Sequence, residues 1–462
     1  MMKKIRLLSA LLCVCGVFYA LTYSPKFDAE KILKQSVLQE RTFQGTAKEI
    51  SVSDGKIKAF FMEEHSVPLV AVSFSFKHAG KAYEPKDGVS LLAESALLDG
   101  AGKYNRYELR EIMKEKGIKI SVLVNNDTLD FSFSYVKKFA KEAQDVIKAV
   151  MYNPHLKTED LNLTRKQLEA LRQQQAENPR YHLRKLVNND FYGKHPYGKE
   201  NIPAFQVMNK LTAQDIRNYL TRAMGADNLN IGIAGDVTEK EAKELMENVF
   251  APLAQKKGGF EMDVFVPDFA KGAAYTNVDF SAQSFVLTVA PGVKRLDKDF
   301  YPLYVADYVF GGSGFVSRLY RAVREKEGLT YGIYSYFSNS DAFDGWYISF
   351  SATPDKVPQA LDIMQKVYAE FYQNGLTEEE LKQAKNALLS SFNLRFVSLF
   401  NIAEMLKQMQ QQNLGIDFLQ KRQGMIEALE LDVVNDAVRR RMPETLDFDS
   451  KVRLFSANGK LQ

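Results

Sequence analysis

Cysteine is almost absent from this sequence. Only Cys13 and Cys15 occur among 462 residues, and both lie inside the apolar N-terminal run Leu7–Leu21. If the segment that holds this run is removed, the mature chain has no thiol. Disulfide bonds and thiolate metal sites are therefore excluded from the folded part of the chain.

Basic residues precede this apolar run, at Lys3, Lys4 and Arg6. A short basic segment followed by about 7–15 apolar residues is typical of a secretory signal, and the run is shorter than the roughly 20 residues of a membrane-spanning helix. Residues 1–30 are therefore predicted to be a signal peptide. Phe18 stands where a small residue would mark the cleavage site, so a retained N-terminal anchor stays open. In both cases we expect an exported protein of the bacterial periplasm.

The sequence also has few histidines and a small net charge. No two of the five histidines lie three to five residues apart, and they are His65, His78, His155, His182 and His195. A protein zinc site usually needs three ligands with at least one such close pair, so these histidines do not predict one. The net charge of +4 is small for 462 residues, which excludes the strongly basic surface of a nucleic-acid-binding protein.

The chain contains an internal repeat. The segment LKTEDLNLTRKQLEAL from Leu156 parallels LTEEELKQAKNALLSS from Leu376, and FSFSYVKKFAKEAQDVIKAV from Phe131 parallels ISFSATPDKVPQALDIMQKV from Ile348. Each copy has a strand with alternating apolar residues, then an amphipathic helix, then a second helix that begins with threonine and acidic residues. Two such copies predict two homologous domains.

We expect an N-terminal domain over residues 45–253, a linker over residues 254–273 and a C-terminal domain over residues 274–462. The linker carries glycine, proline and charge without helical periodicity. Strands and helices come in separate blocks, which predicts an α+β fold in which each domain has a mixed or antiparallel sheet with helices packed on one face. The clearest strands are predicted at residues 68–80, 228–237, 284–293 and 345–353.

Four motifs follow one another in the order found in a known peptidase family. They are GVSLLAESALLDGAG from Gly88, HPYGKENI from His195, IAGDVTEKE from Ile233 and GGSGFVSRLYRAVREKEGLTYGIYS from Gly311. Together with the repeat, they make the chain from about residue 45 onward resemble the pitrilysin/insulinase family of zinc peptidases. These are the inverzincins, which include the mitochondrial processing peptidase and paired bacterial homologues.

The departure from this family lies in the zinc motif. Active members carry H-x-x-E-H on a helix, where the two histidines bind zinc and the glutamate activates the metal-bound water. When the motif is placed through Gly88 and Gly100, the first histidine position is Leu91, the glutamate is Glu94 and the second histidine position is Ser95. The resemblance therefore implies a degenerate zinc motif, with no metal and no other cofactor in this chain.

The third zinc ligand of the family is a glutamate on a later helix. Its position falls on Ala170 or Leu171 in LTRKQLEALRQQQAENPR. Glu169 is adjacent, but one step along a helix turns a side chain by about 100°, onto a different face. Glu94 then has two interpretations, a surviving catalytic base or a partly buried carboxylate tied to a helix end or an arginine. The second is favoured, because without zinc there is no acidified water for a base to deprotonate.

The second half keeps residues that active family members use on the substrate. Arg324 and Tyr331 stand seven residues apart in VREKEGLTYGIYS, and the resemblance implies that the tyrosine stabilises the oxyanion while the arginine holds substrate backbone. Gly328 is expected to end a helix before a strand, so that both side chains approach one cleft. The loop Phe310–Phe315 is expected to be flexible and to let peptide backbone approach. The alternative is a solvated arginine and an edge-strand tyrosine.

These features predict a zinc-free subunit of a heterodimeric metallopeptidase, in which Arg324 and Tyr331 complete a composite site. The partner would be a homologous chain that carries H-x-x-E-H and zinc, and the substrate an extended peptide or unfolded protein between the two chains. The glutamine-rich stretches at residues 172–178 and 407–413 are expected to be solvent-exposed helix faces, available to that partner. A non-catalytic structural or peptide-binding homologue is the alternative.

Overall fold

The computed structural model describes residues 46–278, 280–448 and 451–457. The predicted signal peptide or anchor at residues 1–30 lies outside these ranges. Within them, no helix combines the length and the apolar character needed to cross a bilayer.

The described strands are β1 Lys48–Val52, β2 Ile57–Glu63, β3 Leu69–Lys77, β4 Gly100–Ala101, β5 Tyr104–Asn105, β6 Lys119–Val124, β7 Thr128–Val136, β8 Leu229–Gly235, β9 Ala273–Thr276, β10 Ser284–Pro291, β11 Ile333–Ser338, β12 Gly345–Ala352 and β13 Arg453–Ala457. The described α-helices are α1 Val89–Ala96, α2 Arg106–Glu115, α3 Ala140–Tyr152, α4 Thr158–Ala176, α5 Pro179–Val187, α6 Phe205–Met208, α7 Ala213–Ala223, α8 Glu239–Phe250, α9 Phe300–Asp307, α10 Val357–Asn374, α11 Glu378–Phe392, α12 Leu399–Gln411, α13 Phe418–Glu427 and α14 Leu431–Arg441.

Two mixed sheets of the same topology carry the fold. The first has the strand order β1-β2-β8-β3-β7-β6, and the second has the order β11-β12-β10-β13-β9. When the second is read backwards, β9 and β13 correspond to β2 and β8, and both of these pairs are parallel, whereas the other neighbours are antiparallel. The predicted α+β fold of two homologous domains with mixed sheets is confirmed.

The four strands predicted from alternation lie at β3, β8, β10 and β12. The repeated helices follow at equivalent places, α3 and α4 in the first half and α10 and α11 in the second. In the second copy, Thr377 and Glu380 form a capping box, in which each side chain bonds the other's backbone N–H. No helix or strand lies between residues 254 and 268, inside the predicted linker. The exact domain boundaries stay predictions.

Each sheet packs its own helices on one face. In β3, Val72, Phe74 and Phe76 belong to the first hydrophobic core, while Ser73 and Ser75 point the other way, as the period of two in a strand requires. On that other face lies α12, a helix from the second half.

The glutamine-rich stretch at residues 407–413 was expected to face solvent, and this expectation is wrong for its first turn. Lys407 and Met409 are buried, and the Gln410 side-chain oxygen accepts a hydrogen bond of 2.6 Å from the backbone N–H of Ile231 in β8. Long polar side chains cover the sheet here because their ends find hydrogen-bond partners.

Each half contributes a helix to the sheet of the other half. The helix α12 of the second half covers the first sheet, and α5 of the first half packs on the second sheet. Val187 at its end shares a cluster with Val289 and Phe455. The Arg180 guanidinium lies 5.1 Å from the centre of the Phe285 ring. Neither sheet could therefore keep both faces covered without the other half.

Candidate functional site

The helix α1 carries the degenerate motif, with the predicted zinc-motif positions Leu91, Glu94 and Ser95. Gly88 precedes it with φ +86°, a left-handed conformation that favours glycine. The Glu84 carboxylate caps the helix by accepting hydrogen bonds from the backbone N–H groups of Gly88 at 2.8 Å and Ser90 at 3.0 Å, and from the Ser90 hydroxyl at 2.6 Å. Burial raises the pKa of Glu84, against these hydrogen bonds. The start of α1 is thus fixed by a buried acid.

Glu94 is bonded to the first sheet. Its carboxylate accepts a hydrogen bond of 2.9 Å from the backbone N–H of Val124, at the end of the edge strand β6. The expected partner was a helix end or an arginine, and the structure corrects this. An edge strand has backbone N–H groups without ladder partners, and a side chain from the adjacent helix satisfies one of them. Burial raises the pKa of Glu94.

The positions of the missing zinc ligands lie in or beside one cavity. Leu91 packs against the first core, whereas Ser95 and Leu171 both line a cavity of about 280 Å³ between α1, α2 and α4. Of the two positions predicted for the third ligand, Ala170 and Leu171, Leu171 is the one that lines this cavity. Glu169 turns away and binds Arg172, with two oxygen–nitrogen distances of 2.9 Å.

A zinc ion does not fit these residues. Leucine side chains at Leu91 and Leu171 offer no lone pair, and the Ser95 hydroxyl is not among the usual zinc ligands. In the described part of the chain, no group of three or more histidine, cysteine, aspartate and glutamate side chains is arranged to hold a metal. The cavity is lined instead by the Arg106–Asp99 ion pair and by Arg110, and the positive charge of Arg110 opposes a cation.

The α1–α2–α4 cavity contains a buried ion pair. Arg106 binds Asp99 through two contacts, Nε to Oδ1 at 2.8 Å and Nη2 to Oδ2 at 2.6 Å. The Thr164 hydroxyl donates a weaker hydrogen bond of 3.3 Å to Asp99 Oδ2. The sequence motifs did not predict the Arg106–Asp99 ion pair. The spacing of Arg106 and Arg110 could have indicated an arginine face, because residues four apart lie on one face of α2. The capping box of Asn105 with Glu108 could have signalled that helix.

Arg324 and Tyr331 lie on either side of the expected turn. A π-helical segment, Tyr320–Lys326, carries Arg324, and Gly328 ends it with φ +62° and an N–H bonded to the Arg324 carbonyl at 3.1 Å. The Thr330 hydroxyl then donates to the Ser351 carbonyl at 2.6 Å, which fastens the segment to β12 before β11 begins. The helix stop and following strand agree with the pattern around Gly328.

Both side chains carry donors that no group in the described residues satisfies. The Arg324 Nε is buried and has no hydrogen-bond partner there. Tyr331 is 78% exposed, and no hydrogen bond joins the two side chains. A buried N–H without an acceptor is rare in folded proteins, but six other buried side-chain atoms of the described residues share this state, so it does not mark a site by itself.

The segment Phe310–Phe315 is not the flexible loop that was expected, because Tyr308–Gly312 forms a π-helical turn and Gly314–Val316 a 3-10 turn. A Cβ on Gly311 would lie 2.4 Å from Ser335 Oγ, and one on Gly312 would lie 2.9 Å from Asp307 Oδ2. Their backbone therefore packs against the chain itself. Gly314 is the more open glycine of the loop, and it precedes the exposed side chain of Phe315.

Comparison with known proteins decides the family. Residues 60–203 match the model of the insulinase family, peptidase family M16, and residues 210–388 match that of the peptidase M16 inactive domain. The chain belongs to the insulinase (M16) family. Within it, this member lacks the H-x-x-E-H motif.

Relatives within the insulinase family share the length of this chain at low identity. A Helicobacter pylori protein named "Non-peptidase homolog YmxG" is 23% identical over 392 residues, which cover 84% of this chain and 90% of that protein. A Bacillus subtilis protein named "Uncharacterized zinc protease YmxG" is 21% identical over 312 residues, which cover 68% of this chain and 75% of that protein.

Solved structures share the fold. A peptidase M16 inactive domain from Pseudomonas fluorescens superposes with a TM-score of 0.81 at 23% identity, covering 90% of this chain and 98% of that one. The periplasmic protease PqqL from Escherichia coli gives 0.74 at 13% identity, covering 90% of this chain and 46% of that one. At these identities the likeness establishes the two-domain fold alone.

Proposed function

We propose that the chain is the zinc-free subunit of a heterodimeric M16 metallopeptidase. The observation that carries the proposal is the contrast between the two halves. The zinc positions Leu91, Ser95 and Leu171 have no metal ligand, while Arg324 keeps a buried Nε without an acceptor. Leaving a buried donor unsatisfied costs about 1–3 kcal/mol. This cost is offset if docking of a substrate or a partner chain rearranges the neighbouring side chains and brings an acceptor to this nitrogen.

In this proposal, the two chains divide the chemistry. The partner, a homologue with H-x-x-E-H, holds zinc and the water it activates. Tyr331 donates its hydroxyl proton in a hydrogen bond to the oxyanion that forms at the scissile carbonyl. Arg324 holds the substrate backbone through the fixed fork of its guanidinium donors. Glu94 takes no chemical role, because its carboxylate is occupied by the Val124 N–H.

The proposal also includes a substrate class and a cellular location. An extended peptide or unfolded protein is the substrate, because the reacting groups come from two chains that enclose it. Export to the bacterial periplasm is proposed from the basic and apolar pattern of residues 1–30. The mature chain would then hold no cysteine.

A second candidate is a structural or peptide-binding homologue without a peptidase role. The name "Non-peptidase homolog" of the Helicobacter pylori relative supports it, as does the inactive-domain description of the model that matches residues 210–388. A peptide carrier could keep Arg324 and Tyr331 for binding alone. The two candidates differ in whether a zinc-bearing chain is part of the complex.

Zinc content and native mass, measured on one preparation, separate these candidates. The chain is purified through a C-terminal tag from cells that also express its nearest H-x-x-E-H homologue. One zinc per two chains, with the homologue in the complex, is the result expected of the split enzyme. A zinc-free particle that contains this chain alone would support the carrier, and one zinc per chain would overturn the assignment of Leu91 and Ser95.

A further inference from the structure

The α1–α2–α4 cavity has features of a ligand site of its own. Ser95 and Leu171, two positions predicted for the family's zinc ligands, line it, and its walls offer hydrogen-bond donors. Arg110, Gln167 and Ser95 line it, and none of these three side chains has a hydrogen-bond or ion-pair partner among the residues that the structure describes. Leu168 and Leu171 supply an apolar side.

The charge balance of the cavity is positive. Its one lining carboxylate, Asp99, uses both oxygens on Arg106 and is therefore neutralised. The remaining nitrogen of that arginine, Nη1, is 3.6 Å from Asp160 Oδ1, so Arg106 has little charge to offer a ligand. Arg110 is exposed and has no ion-pair or hydrogen-bond partner among the described residues, which leaves one guanidinium fork free at the mouth of the cavity.

We infer that the α1–α2–α4 cavity binds a carboxylate, with Arg110 as its ion-pair partner. A planar guanidinium matches a carboxylate with two parallel hydrogen bonds. The Ser95 hydroxyl and the Gln167 amide provide additional donors, and the leucines accept the methylene groups of an acidic side chain. The volume of about 280 Å³ accommodates a glutamate side chain.

Two sources could supply this carboxylate in a bound peptide, an acidic side chain or the C-terminus. This part of the inference rests on the proposed function, because it takes a peptide as the ligand. The cavity itself does not depend on that proposal, and a small dicarboxylate can test it alone. Glutarate has the carbon skeleton of glutamate without its amino group, and its diamide is a neutral match in shape.

The first experiment measures glutarate and glutaramide binding to the full chain by calorimetry. We expect glutarate to bind, the diamide to bind at least tenfold more weakly, and Arg110→Gln to weaken glutarate at least tenfold. Lys114→Gln on the same helix is the matched control, because Lys114 does not line the cavity, and it should leave the affinity unchanged. Equal affinity of the wild type and Arg110→Gln for glutarate would overturn the inference.

The second experiment uses four fluorescent peptides of one sequence, with glutamate or glutamine at the centre and a free or amidated C-terminus. A preference for central glutamate or for the free C-terminus, lost in Arg110→Gln, supports the inference and identifies the source. Equal binding of all four peptides overturns the inference but leaves the proposed function intact. Glutarate binding without any peptide binding supports the cavity and counts against the peptide substrate of the proposed function.

Discussion

Lys407 of α12 and Asp130 of β7 form an ion pair that joins the two halves of the chain, with Nζ 2.6 Å from Oδ1. The Lys407 side chain is only 5% exposed. Its Nζ also lies 2.9 Å from Glu404, and Glu404 accepts a hydrogen bond from Ser73 of the first sheet. These ion pairs and hydrogen bonds therefore hold α12, a helix of the second half, against the first sheet.

Replacing Lys407 by methionine should destabilise the protein strongly. The change leaves Asp130 and Glu404 near each other in a partly buried place without a cation, and losing one member of a buried pair costs about 3–5 kcal/mol. Urea unfolding at neutral pH measures the loss. Lys421→Met is the control, because Lys421 pairs with Asp417 on an exposed helix and should cost less than about 1 kcal/mol. Similar losses in both variants would contradict the role given to Lys407.

Gly232 sets the distance between β8 and α12. A Cβ at this position would lie 2.0 Å from the Ala403 carbonyl oxygen and 2.5 Å from the Lys407 nitrogen. Both are backbone atoms, so Gly232→Ala should force the helix outward and cost about 1–3 kcal/mol. Gly424→Ala in α13 meets no atom within 4 Å and should stabilise the chain by about 0.5–1 kcal/mol. Equal effects of the two changes in urea unfolding would show that the helix is not held this closely.

The sequence allows the strands and the duplication to be predicted because both depend on local patterns. Alternation marks β3 and β12, and α4 and α11 each begin at or next to a threonine that acidic residues follow. The exchange of α5 and α12 cannot be found in this way. An amphipathic pattern shows that a helix buries one face but not which sheet receives it, and glutamine side chains suggest solvent until their partners are known.

Some features of the candidate site could likewise be predicted from the sequence, and others could not. Leu91, Glu94 and Ser95 follow from one motif, and Arg324 and Tyr331 from another, because spacing along a single element is a local property. The Val124 partner of Glu94 and the cavity shared by Ser95 and Leu171 depend on tertiary packing. No sequence pattern indicates that α1 and α4 lie side by side.

Asp307 should make stability depend on pH. It is buried, and burial raises its pKa to about 6 from the usual 3.8, although Ser335 and Trp346 donate hydrogen bonds to it. As the pH rises from 4 to 7, the unfolded chain releases this proton before the folded chain does, so the free energy of unfolding falls by about 2.4 kcal/mol. Asp307→Asn cannot titrate. Its stability relative to the wild type should therefore rise by about that amount between pH 4 and pH 7 in urea unfolding, whereas a constant difference would show that Asp307 is already ionised at pH 4.

A chelator should not affect the isolated chain. Removing a bound zinc from the folded state would lower the Tm by several degrees, because a ligand present at 100 times its Kd adds about 2.7 kcal/mol. We expect the Tm to change by less than about 1 °C with chelator or with added zinc. The positive control is the triple variant Leu91→His, Ser95→His, Leu171→Glu, which supplies the family's ligand types and should gain Tm with zinc. A chelator-dependent Tm in the wild type would show that this chain binds zinc.

Tyr331 and Glu94 give opposite expectations in the reconstituted complex with an H-x-x-E-H chain. Tyr331→Phe removes one hydroxyl from a side chain that is 78% exposed, so folding should be unaffected. Loss of an oxyanion donor lowers kcat about 10²–10³-fold. Glu94→Gln keeps an oxygen for the Val124 N–H and should leave turnover nearly unchanged. Initial rates on an extended peptide, with KM measured separately, distinguish the two. If Glu94→Gln abolished turnover and Tyr331→Phe preserved it, the chemistry would belong to the first half of this chain, and the division of roles proposed for the two subunits would be reversed.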